Sequence, residues 1–305
     1  MSIRGSHSRP FVVAFGLNLG SCGPKNGAVP DSEFDGRVTR LAVYPVKGLG
    51  GQLLEKAEVQ ERGFALDRRW MLVGEDRRFL SQRQLPKMVT IKAGVNAEEL
   101  VLSHGTSQIT VPVKPPETAS TIQATIWNDR VEAVFLPGPG QWLSEILHHR
   151  CDLVFMPDTT RRAVNPAFAQ AGDIVGFADA YPILLVGEAS IADLNARLGD
   201  PVPIDRFRPN IVVSSQEPFI EDQWGELAVG SALLCGTKVC ARCSVPTIDQ
   251  LTGENTGPEP IRTLSSYRRF GAGIYLGQNL TVRRTGSISL GDTVSVRKRI
   301  AAVYG

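Results

Sequence analysis

At 305 residues, with 42% apolar and 21% charged side chains, the chain is long enough to bury one large core or two smaller ones and has the make-up of a soluble globular protein. Its 33 bases against 31 acids leave a net charge of +2, which excludes bulk attraction to nucleic acid or to a membrane surface. Five cysteines, an odd number with one close pair, exclude a disulfide framework and make a reducing, cytoplasmic setting the default.

Residues 1–36 stand apart as a disordered leader or tail. Arg4 and Arg9 precede a short apolar run at 11–17, and Cys22 follows; the alternative reading is an exported lipoprotein attached through Cys22. The run is broken by Asn18 and is too short to cross a membrane. From Arg37 the pattern turns β-rich. A strand at 38–44 puts Thr39, Leu41 and Val43 on one face and ends at Pro45-Val46-Lys47-Gly48. Further strands are predicted at 69–73, 88–93, 100–103, 108–113, 121–126 and 131–136, with Asn128-Asp129 turning the last two. A short helix at 141–147 turns Trp142, Ile146 and Leu143 inward.

A second part begins near Asp152. A buried strand at 181–186 leads to a helix at 190–198, capped by Ser190 with Asp193 and ended by Gly199, with Ile191, Leu194 and Leu198 on one face. Strands follow at 211–214, 227–229, 233–239, 280–284 and 293–297. The chain stops soon after the last of these strands, so no appended redox domain is expected.

The densest chemistry lies in Cys240-Ala241-Arg242-Cys243-Ser244-Val245-Pro246-Thr247-Ile248-Asp249. Two thiols sit three residues apart with an arginine between them, where a strand runs out into a loop, and a cationic neighbour favours the thiolate that ligates metal or attacks. A zinc half-site needs a second Cys or His pair, which Cys22, Cys151, Cys235 and the adjacent His148-His149 do not supply. A thioredoxin-like pair should open a helix, which Pro246 opposes. Two packed thiols, or a plain cysteine-redox protein, remain open on these residues alone.

Several segments, in order, resemble one family. Asp205-Arg206-Phe207-Arg208-Pro209-Asn210-Ile211-Val212-Val213 is similar to the signature of MOSC proteins, and Cys240-Ala241-Arg242-Cys243 with Thr247, Asp249 and Thr252-Gly253 resembles their molybdenum-ligand loop. Tyr44-Pro45-Val46-Lys47-Gly48 and Asp67-Arg68-Arg69-Trp70 resemble motifs of the MOSC N-terminal β-barrel; Leu264-Ser265-Ser266-Tyr267-Arg268 and Leu276-Gly277-Gln278-Asn279 match the family's tail. Within the family the pattern is similar to the amidoxime-reducing components and their bacterial relatives.

The resemblance implies an α+β, β-rich fold: an N-terminal β-barrel domain at 37–150, followed by a MOSC β-barrel domain with a few helices at 151–300. It implies a molybdenum cofactor, with Cys243 as the thiolate ligand to the metal, Cys240 packed, and Arg242 helping to hold the thiolate. Asp179, in Phe177-Ala178-Asp179-Ala180-Tyr181-Pro182, falls where the family keeps an aspartate that relays protons. Lys47, Arg68 and Arg208 fall on positions that bind the pterin phosphate, with Asn210 offering an amide donor. The chain departs from its relatives at Gly48, Ala180 and Tyr181, where they often carry hydroxyl residues. The implied activity is two-electron reduction of N-hydroxylated compounds such as hydroxylamines and amidoximes. Its electrons come from a separate carrier, a ferredoxin or b-type cytochrome served by a flavin reductase, because the sequence holds no cluster-binding cysteine set and no Gly-rich dinucleotide fingerprint. The alternative is a non-catalytic protein that carries sulfur or the molybdenum cofactor on Cys243.

Overall fold

The structure is a computed structural model and describes residues 34–304. Seven strands close on themselves. In spatial order they are Ile183–Gly187, Ile211–Val213, Phe34–Val43, Thr293–Arg299, Trp224–Val229, Ala232–Ala241 and Gly273–Arg284, and the last pairs back onto the first. Closure leaves no free edge on the ring. All its pairings are antiparallel except Ile183–Gly187 with Ile211–Val213, and that parallel step is bridged by helix α1 (Glu188–Ala196). Alternating apolar residues fill the ring: Leu41, Ile183, Leu185, Ile211, Trp224, Leu227, Leu234 and Leu280 are all essentially inaccessible to water. Each such side chain contributes about 1.5–3 kcal/mol relative to leaving it exposed.

The N-terminal barrel region builds a second core from a five-stranded sheet, Thr121–Ile126, Asp129–Leu136, Asp152–Phe155, Trp70–Val73 and Val46–Lys47, and a three-stranded meander from Lys92–Val95 to Ser107–Pro112. Trp70, Leu72, Met88, Ile91, Leu100 and Leu153 pack between them. Strand pairing crosses residue 150 in both directions. Phe34–Val43 lies in the seven-stranded ring, and Asp152–Phe155 pairs with Trp70–Val73. Lys47 and Arg68 are thereby brought beside the end of the ring that carries the thiols.

Most predicted strands are present with ends shifted by one or two residues, but those expected at 38–44 and 280–284 begin at Phe34 and Gly273. Val38 rather than Thr39 faces the core, α1 ends at Ala196 before Arg197 rather than at Gly199, and other local expectations change as well. The stretch from Met88 is a 3-10 turn, Pro86–Thr90, with a strand beginning at Lys92; Pro86 in the first turn fixes φ and lacks the N–H a strand would need. The hairpin turns on Trp127-Asn128, because Asp129 already pairs with Ile126. The helix Pro139–Leu147 buries Leu143 and Leu147 fully, and Trp142 and Ile146 only partly. Ser190 does not cap its helix: α1 begins two residues earlier, and the fully buried Ser190 hydroxyl donates to the Glu221 carboxylate, 2.7 Å away. The leader expected at 1–36 ends sooner, because residues 34–36 already belong to the ring strand Phe34–Val43 and pair with Thr293–Arg299; the rest of that reading, residues 1–33, lies outside the described residues. Among the described residues no helix is long and apolar enough to cross a membrane.

Candidate active site

Two arginines form one wall of the site, and both take left-handed backbone conformations, Arg68 with φ +47° and Arg208 with φ +56°. Non-glycine residues seldom adopt that region, so two at one place mark a position the fold enforces. Arg68 donates from Nη1 to Asp67 Oδ2 at 2.5 Å and Asn210 Oδ1 at 3.0 Å, and from Nη2 to the Arg208 carbonyl at 3.3 Å. Each guanidinium lies 4.3 Å from the centroid of the buried Tyr44 ring. Arg208 has no acidic partner among the described residues, and burial pulls its pKa down to about 10, against the opposing charges of Tyr44, Asp67 and Asp179. Asn210 is buried, with both amide hydrogens committed, to Ala42 O at 3.2 Å and Asp67 Oδ1 at 3.1 Å. The amide donor expected from Asn210 is therefore already used, and the residue positions Arg68 instead.

Lys47 ends the two-residue strand Val46–Lys47, which pairs in parallel with Trp70–Val73. Its side chain is buried and its Nζ donates to Asp179 Oδ1. Burial lowers the Lys47 pKa, with Asp179 opposing. The following Gly48 has φ +83°, and a Cβ there would stand 2.7 Å from Met88 Cε. A hydroxyl residue at this position would need both a strained backbone and a shifted methionine. Asp179 opens to the cavity. Its surroundings act to raise its pKa, but the Lys47 charge and hydrogen bond, followed by Arg83 and Arg68, hold it at about 2. The backbone beneath it is pinned: Phe177 N donates to Arg68 O at 2.7 Å, while Arg162 donates to the carbonyls of Gly176, Ala178 and Asp179.

The thiols lie opposite. Cys240 is at the end of the Ala232–Ala241 strand and half-buried; Cys243 stands exposed on the loop before the 3-10 turn Val245–Thr247. Arg242 was expected to favour a thiolate at Cys243. Its Nη1 instead donates to Cys240 Sγ at 3.1 Å and its Nη2 to Phe207 O at 2.9 Å. The loop is braced from below by Asp249, which accepts from the backbone of Leu251 and Thr252 and from Arg206 at 3.2 Å.

These groups line one cavity of about 300 Å³, which brings Cys243, Asp179, Lys47, Arg68, Arg208 and Asn210 together. Arg83, Lys238 and Arg242 also line it, so its wall holds six bases against one acid, Asp179. Such a hollow suits a phosphorylated anionic ligand. Among the described residues no three His, Cys, Asp or Glu side chains converge. A metal held at Cys243 would need its other donors from a bound group, and a dithiolene pterin carries them; soft sulfur also suits molybdenum. The residues present fit that cofactor.

Three contributors carried no motif signal. Arg83 sits in a polar turn, Lys238 on an alternating strand and Arg162 on the two-residue strand Arg162–Ala163. Asp67 was legible only as the neighbour of Arg68.

The description "MOSC domain" matches residues 172–295, and "MOSC N-terminal beta barrel domain" matches residues 35–150. The chain is 33% identical over 282 residues to mitochondrial amidoxime-reducing component 1 of Mus musculus, spanning 85% of this chain and 82% of that one. It is 30% identical to the Homo sapiens protein of the same name, again over 85% and 82% of the two chains. The similarity to mitochondrial amidoxime reducing component 2 of Rattus norvegicus is also 30%, with the same coverage.

Proposed function

The chain belongs to the MOSC family, in the form that carries an N-terminal MOSC β-barrel, and on that premise we propose that it is a molybdenum-cofactor reductase of N-hydroxylated compounds. The observation that carries this reading is the meeting of Cys243, the Lys47–Asp179 pair and the Arg68–Arg208 clamp on one cavity. The names of the similar proteins, amidoxime-reducing components, support the substrate class.

When bound, the cofactor would supply the two-electron redox chemistry; Cys243 would hold its metal, and Arg68 and Arg208 would hold its phosphate. Breaking the N–O bond of a hydroxylamine or amidoxime takes two electrons and two protons and yields the amine or amidine plus water. The protein's part is the protons. Asp179 is ionised at neutral pH, so the movable proton of the pair sits on Lys47 Nζ, where burial eases its release. Asp179 Oδ1 holds that N–H at the cavity wall. The electrons come from a separate carrier, a ferredoxin or b-type cytochrome with its flavin reductase. The proposed setting is the reducing cytoplasm, which keeps the free thiols Cys151, Cys235, Cys240 and Cys243 reduced.

The test joins metal analysis to turnover. Cofactor-loaded protein, supplied with dithionite-reduced viologen, should contain molybdenum and convert benzamidoxime to benzamidine, while NADH alone supports no turnover. Loaded protein that retains molybdenum yet forms no amidine would rule out the reductase and favour a carrier of the cofactor.

A further inference from the structure

Beside the cavity lies a second, larger hollow of about 880 Å³ that shares Ser81 and Arg83 with it. Two aromatic rings face it. Phe79 and Trp127 pack with centroids 4.8 Å apart at 53°, and Trp127 is 39% exposed. Trp127 turns its hairpin with φ +55°, a conformation that glycine or asparagine adopts easily and a bulky side chain resists. A tryptophan held there against its backbone preference places a large π surface in the hollow beside the site.

The charges around the hollow are unequal in their freedom. Glu75 pairs with Arg150 at 2.8 Å, and Asp76 accepts from the backbone N–H of Arg78 at 3.0 Å. Arg83 has no acidic partner among the described residues; its guanidinium carbon lies 4.7 Å from the Trp127 ring centroid. Stacking on the indole fixes the plane of that guanidinium while its N–H edges stay open to a ligand. Phe79 also backs the catalytic pair, with Lys47 Nζ 5.2 Å from its ring centroid. A molecule with its N–O group at Asp179 thus has an aromatic wall next along its path, and stacked on that wall is Arg83, the base that lines both hollows.

We propose that this outer hollow binds the remainder of the substrate and selects a planar aromatic ring bearing an anionic substituent, with the ring against Phe79 and Trp127 and the anion on Arg83. The inference rests on the reductase reading of the inner cavity and adds the class of substrate that the enzyme prefers.

The test compares KM for para-carboxybenzamidoxime, benzamidoxime and acetamidoxime, using reduced viologen, in the wild type, Arg83→Gln, Arg83→Lys and Trp127→Leu. One charge-assisted hydrogen bond corresponds to a preference on the order of tenfold for the carboxylated ring in the wild type. Arg83→Gln should collapse that ratio toward one, and Arg83→Lys should keep part of it. Trp127→Leu should raise KM for the two aryl probes by severalfold more than for acetamidoxime. Calorimetric binding of para-amidinobenzoate, which has no N–O bond to reduce, should weaken in Arg83→Gln by a similar factor. A wild type that does not discriminate, or a ratio unchanged in Arg83→Gln, overturns the proposal. Binding that depends on Arg83 without turnover of any probe retains this subsite and overturns the reductase reading instead.

Discussion

On the cation wall Arg68 is held at three acceptors and shares the Tyr44 ring with Arg208, whereas on the facing wall Cys243 stands exposed with no side chain among the described residues bonded to its thiol. The difference follows from what each wall contributes. Two guanidiniums kept side by side repel each other and lose solvent, so they stay in place only if the protein supplies acceptors and an aromatic face beforehand. A metal–thiolate bond supplies its own strength once the thiol is deprotonated, and it needs access more than prior fixing. The bracing on that side is accordingly spent on the loop backbone, through Asp249 and Arg206.

Removing the thiolate is the largest break in this contrast. Cys243→Ser should abolish both molybdenum retention and turnover, because a hydroxyl is a hard, poorly ionised replacement, while Cys240→Ser keeps most of both. Metal content and rate measured together on the two variants decide it; a Cys243 variant with metal bound and near-normal turnover would overturn the ligand assignment. Next in size is the clamp. A charge-assisted contact is worth about 1.5–3 kcal/mol, so Arg208→Ala should lower cofactor occupancy tenfold or more when cofactor is limiting. Full occupancy under those conditions would mean that this wall is not the phosphate site.

The smallest effect is electrostatic and concerns acid. Asp179 is held at about 2, below its ordinary 3.8, so its contribution to stability is present above about pH 4 and lost as pH falls through 2. In urea titrations the wild type should exceed Asp179→Asn by a steady margin at pH 5–7, and that margin should shrink between pH 4 and 2. A margin that persists undiminished at pH 2 would show that the Lys47 contact is not what depresses the group.

Much of the fold was legible because ring strands alternate: Leu227, Val229, Leu234 and Leu280 each face the core. The cation positions were legible because their motifs are local. What escaped was the choice among long-range partners. Ser190-x-x-Asp193 has the look of a cap, but its hydroxyl finds Glu221 from a segment 31 residues away. Arg242 stands between two thiols in the sequence, and only the path of the strand end decides that it turns to Cys240. Arg83 and Trp127 sit in turns whose composition says only that the chain reverses there; their stacking depends on how the hairpin docks onto the neighbouring loop.

The place of Phe34–Val43 in the ring also bears on how the molecule is made. This strand pairs with Ile211–Val213 on one side and Thr293–Arg299 on the other, so the earliest of the described strands to be made waits for the latest. Contacts so distant along the chain are slow to form, and synthesis at roughly 5–20 residues per second sets the minimum delay. A nascent chain stalled before residue 293 leaves Phe34–Val43 and Trp224–Val229 without the strand that joins them. Ring closure, and stable loading of any ligand that needs the closed ring to hold Arg208 and Lys47 together, then waits until Thr293–Arg299 has been made.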